Sequence, residues 1–74
     1  MEEFYKKIEC GDMRYVIYNS EYNMISASSQ DLGSSCILGK IQLKDFCQLL
    51  SVLLSKGWKI AEEALTQKSV ILSK

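Results

Sequence analysis

The apolar positions along this chain change their period partway through. Arg14-Tyr15-Val16-Ile17-Tyr18 is a run of β-branched and aromatic residues and predicts a strand. The polar stretch Asn19 to Asn23 supplies a hairpin connection, and Met24-Ile25-Ser26-Ala27-Ser28 continues as its antiparallel partner, with serines toward solvent. Upstream, Phe4 to Cys10 sets Phe4, Tyr5 and Ile8 around Lys6 and Lys7 and predicts a first strand, closed by the turn signal Gly11-Asp12. Gln30 to Ser35 is the longest loop candidate, and Cys36 to Leu43 predicts a further strand with a bulge or bend at Gly39. Spacing then shifts to three and four. Phe46, Leu49, Leu50, Leu53 and Leu54 predict a helix, with Asp45 as N-cap, Gln48 reaching back to it, and Lys56-Gly57 as the stop.

The tail has two readings. Ala61-Glu62-Glu63-Ala64-Leu65 are strong helix formers, whereas Trp58 to Leu65 and Lys68 to Ser73 make a hairpin around Thr66-Gln67. The Trp-x-Ile alternation directly after Gly57 favours the hairpin. The expected fold is α+β: a small antiparallel sheet packed against one main helix, with a C-terminal strand or hairpin, in a single domain over residues 1–74.

A chain of 74 residues buries a modest core and calls for reinforcement. Its three cysteines, Cys10, Cys36 and Cys47, are odd in number and form no CxxC pair, and the chain has no histidine, so no disulfide framework or metal site is expected. Oligomerisation is the remaining route, and a homodimer is expected. Reduced thiols, a charged N-terminal stretch and the lack of a long apolar run point to a cytoplasmic protein that does not enter membranes.

Without histidine the commonest general base is missing, and a cysteine nucleophile would lack its imidazole partner. No phosphate-binding glycine loop or hydrolase elbow occurs either. A non-enzymatic binding module without a cofactor is the expectation.

Tyr15 and Tyr18 differ in parity and face opposite sides of a strand, while Tyr18 shares a side with Arg14 and Val16. Tyrosine with basic residues on an open sheet would stack and neutralise single-stranded nucleic acid, but aromatic residues fill cores and interfaces before they serve ligands, and that reading comes first. Nine basic residues balance nine acidic ones, which handicaps phosphate binding unless the lysines gather on one face. The helix stripe is wider than one sheet covers, and its surplus, Cys47, Leu50, Val52 and Leu54, is expected to pair with a second protomer.

The order of these signals has a parallel. Ile8-Glu9-Cys10-Gly11-Asp12-Met13-Arg14-Tyr15-Val16, and above all its Gly-x-Met-Arg-Tyr-Val run, resembles the opening strands of the positive-cofactor-type transcriptional coactivators, a family structurally related to the plant Whirly proteins. Lys40-Ile41-Gln42-Leu43 and the helix from Asp45 are similar to that family's last strand and helix, so the resemblance spans about residues 8 to 56. It implies a four-stranded sheet, dimerisation through the helix, and single-stranded DNA on the sheet, with Arg14 and Lys40 as the matching basic positions and Tyr15 stacking or packing. The family's basic third strand is not reproduced, since Met24 to Ser35 holds no lysine or arginine. The expected nucleic-acid contacts are Arg14, Lys40, Tyr18, Lys6 and Lys7. The alternative is a protein-interaction module, a regulator or inhibitor of a larger complex, and interspersed acidic residues would favour it.

Overall fold

Glu2–Cys10 forms a helix, α1, rather than the expected first strand. Phe4 and Ile8 lie four residues apart, a spacing that puts both on one side of a helix and equally on one side of a strand. The surrounding glutamates and lysines are good helix formers, and Tyr5 Oη donates to Glu9 Oε2 at 2.5 Å one turn on. The helix closes where the Gly11 amide bonds to the Lys7 carbonyl and the Met13 amide to that of Ile8. A computed structural model describes residues 2–64 and 69–74.

The rest of the chain runs β1 (Tyr15–Asn19), β2 (Met24–Ser28), a short 3-10 turn at Leu32–Ser34, β3 (Cys36–Lys40), α2 (Leu43–Ser55), β4 (Lys59–Ala64) and β5 (Ser69–Ser73). All pairings are antiparallel, and the five strands lie in the order β3-β2-β1-β5-β4. The tail is thus a pair of strands, as its alternation favoured; the Thr66-Gln67 turn lies outside the described residues.

Two turns are built from side chains. The Asn19 carbonyl Oδ1 accepts from the Glu21 and Tyr22 amides between β1 and β2. Ser28, expected in solvent, is buried; its hydroxyl donates to the Asp31 carbonyl and accepts from the Gln30 amide, anchoring the loop before β3.

β3 ends at Lys40, three residues short of the expected end, because α2 starts at Leu43 with Gln42 as its N-cap. Asp45 sits inside the first turn and makes no capping bond through its side chain, so its contribution is its charge near the positive helix end. The far end is the expected stop. Gly57 takes φ +102°, its amide bonds to the Leu54 carbonyl and the Trp58 amide to that of Leu53. These are the two bonds of a Schellman motif, and the apolar contact that goes with it joins buried Leu53 and Trp58.

Both helices lie on one face of the sheet. Ile8 from α1 and Phe46, Leu49 and Leu53 from α2 share a core with Val16, Tyr18, Ile25, Ala27 and Leu72. These strand residues pair across the register Val16–Ala27–Leu72 and Tyr18–Ile25, so they point the same way.

Candidate interaction surfaces

The predicted nucleic-acid contacts do not come together. Lys6 and Lys7 sit on α1, in the helix layer, with Glu3 and Glu9 on the same helix and Lys7 Nζ 5.9 Å from the Phe4 ring. Arg14 precedes β1 at one end of the sheet and shares a depression with Asp12 and Lys74. Lys40 ends the edge strand β3 opposite Met24. The four cations therefore occupy three regions, each with a carboxylate beside it, since Lys40 shares a depression with Asp45.

Tyr18 cannot meet a ligand. It is 1 % exposed, and its ring stacks on Phe46 with centroids 4.2 Å apart and planes at 9°. Its hydroxyl is 3.1 Å from Asn23 Oδ1, to which it donates. Burial raises the Tyr18 phenol above the ordinary tyrosine value, and the ionised Cys47 thiol would push it the same way. Tyr5 is raised too, first by its hydrogen bond to Glu9. The sign follows from proton binding. The unfolded chain releases these protons near pH 10 while the folded one retains them, so stability is full below that pH and falls as pH rises toward the raised values. Urea midpoints measured between pH 8 and 11 are expected to drop at the alkaline end, and less steeply in Tyr18→Phe; equal slopes would mean that Tyr18 is not the buried phenol.

Opposite parity puts Tyr15 on the other face of the sheet, which no described helix covers. Across the register its central strands present Tyr15, Ile17 and Asn19, then Met24 and Ser26, then Ser69, Ile71 and Ser73. None of these is charged. Ile37, 64 % exposed, extends the row Ser26–Ile17–Ile71 onto β3, while Lys40 and Lys59 stand on the two edge strands. The centre of this face is thus neutral, with charge confined to the edge strands, where Glu62 of β4 pairs with Ile71.

A second bare surface flanks α2. With 100° between successive residues, Leu43, Cys47, Leu50 and Leu54 fall in one stripe about a quarter-turn from the buried line Phe46–Leu49–Leu53. Leu43 is 56 % and Leu54 43 % exposed, Cys47 is exposed and Leu50 half-buried. Three of the four expected dimer residues thus share a stripe. Val52 does not: it falls on the opposite flank with Asp45 and Lys56, the side along which α1 runs, since Phe4 shares a depression with Asp45 and Tyr5 shares one with Lys56 and Trp58. Leu43 takes its place. Its 4-3-4 spacing with Cys47, Leu50 and Leu54 is visible in the sequence once the helix is known to begin at residue 43.

Among the described residues no three histidines, cysteines, aspartates or glutamates are grouped to hold a metal, and no helix is long and apolar enough to cross a membrane. All three thiols are free and exposed. Comparison with family models, with curated proteins and with solved structures finds no match to this chain.

Proposed function

We propose that this chain is a small non-enzymatic protein-interaction module that associates with itself, as a regulator within a larger assembly would. The observation that carries the reading is the contrast between its surfaces. Its cations are dispersed and partly matched by acids, whereas its two uncovered faces are uncharged and apolar at their centres. Phosphate binding draws on convergent positive charge, so the single-stranded nucleic-acid reading stands second. Lys40 and Lys59 at the rim of the bare sheet face are what remains in its favour. Free, exposed thiols suit a reducing compartment such as the cytoplasm.

Two measurements test this. Light scattering over a wide concentration range is expected to show the mass rise toward twice that of the protomer. Fluorescence anisotropy with labelled single-stranded DNA is expected to stay flat at low salt. A constant protomer mass would remove the self-association, and salt-sensitive DNA binding in the micromolar range or tighter would restore the nucleic-acid reading.

A further inference from the structure

The bare face of the sheet is laid out symmetrically about its central strand. β1 has β2 on one side and β5 on the other, and the register sets the residues of this face at three shared levels. At the first level Asn19 stands between Met24 and Ser69. At the second Ile17 stands between Ser26 and Ile71. At the third Tyr15 has a serine on each side, Ser28 and Ser73. Wherever one flanking strand carries a large apolar residue, the other carries a serine.

Such a face complements its own copy. Turned over about an axis along β1, a second sheet lays its β5 on β2 and its β2 on β5. Met24 then stands over the partner's Ser69, and Ser26 beneath the partner's Ile71, so each large residue meets a small one and each contact is made twice. Ile17 meets the partner's Ile17 on the axis. At the margins β3 lies over the partner's β4. Along that margin Lys40, the partner's Glu62 and the partner's Lys59 follow one another by level, so an acidic position separates the two lysines. An axis across the strands does the reverse: it sets Ile71, Ser26 and Glu62 each against its own copy.

We infer that two copies of the chain pair face to face through this sheet surface, β1 against β1, as a sandwich whose outer layers are the helices. The inference rests on the self-association proposed above and adds the surface at which it happens. Aligned sheets pack ~10 Å apart with interdigitating side chains, which is what facing large and small residues allow. One patch serving both partners closes the assembly at two copies. Five strands ~4.8 Å apart and five residues at ~3.4 Å each make a face of ~24 by ~17 Å, roughly 400 Å² in projection. A standard interface takes ~800 Å² per partner, so the pairing is reversible and concentration-dependent.

Thiols distinguish this surface from the helix layer, since residue 17 lies on the axis and the exposed Cys47 on α2. Two single-thiol chains are treated with a short bis-maleimide at a concentration where scattering detects dimer. Ile17→Cys, with the three native cysteines changed to serine, is expected to give a covalent dimer, and a chain keeping Cys47 alone little or none. An exchange tests the size match. Ser26→Ile and Ile71→Ser are each expected to weaken dimerisation about tenfold, and the double variant, again large against small, to return to within about twofold of the parent. Circular dichroism checks that each variant folds; should Ile71→Ser unfold, the cross-link at residue 17 decides. A dimer that Cys47 captures and residue 17 does not, or a double variant without recovery, overturns the inference while sparing self-association. A chain that stays a protomer at every concentration overturns both, and DNA binding lost in Ile17→Glu would then assign the face to nucleic acid.

Discussion

Phe46→Ala is expected to bring the protein close to unfolding at room temperature. The ring is 1 % exposed and stacks on Tyr18 across the interface between α2 and the central strand. Truncating a buried phenylalanine costs about 3–5 kcal/mol, while a chain this short has only roughly 4–11 kcal/mol of stability. With a urea dependence of ~1 kcal/mol/M, the midpoint should fall by about 3–5 M. Tyr18→Phe is the contrast, since it keeps both rings and loses the bond to Asn23, at about 1 kcal/mol. A midpoint shift below about 1 M for Phe46→Ala would mean that the stack does not hold α2 to the sheet.

Gly39→Val is expected to loosen α1 specifically. A Cβ at this position would lie 3.0 Å from Phe4 Cε1 and 3.3 Å from Cζ, and the residue's φ of +154° disfavours any side chain. Overpacking and backbone strain cost about 1–3 kcal/mol each, so a loss of roughly 2–6 kcal/mol is expected. Amide exchange should accelerate first in α1, because Phe4 is the residue displaced. In the double variant with Phe4→Ala the steric part should vanish and the strain remain, so the two substitutions should cost less together than their sum. Strict additivity would show that no contact between them matters.

These two sites also mark what could be read from the sequence. The α2 stripe and its Gly57 stop were legible because helical spacing and a left-handed terminal residue leave few alternatives. The β1–β2 hairpin was legible from its β-branched runs and the polar stretch between them. For α1 the pattern was ambiguous, since Phe4 and Ile8 share a side in helix and strand alike and the tertiary packing decides. Gly39 signalled an irregularity but not the ring above it. The placement of the candidate contacts was hidden for a related reason. Parity set Tyr15 and Tyr18 on opposite faces, but Tyr15-Val16-Ile17-Tyr18 is apolar on both, so nothing local indicated which face the helices would cover. Whether the lysines converged depended on the state of Phe4 to Cys10, and a helix there carried Lys6 and Lys7 into the other layer.

The sheet order has a consequence for how the protein comes into being. β1 is the central strand, yet one of its two neighbours, β5, is made about fifty residues after it. While synthesis proceeds, the hairpin of β1 and β2 can close early, but β1 keeps an open edge of unpaired amides and carbonyls until residues 69–73 have left the ribosome. Pairings this distant in sequence are slow to form. The nascent chain is thus at its most aggregation-prone with α2 already made and its Leu43–Leu54 stripe exposed, and a stall or premature stop between β4 and β5 would release a β1 edge that another chain could complete.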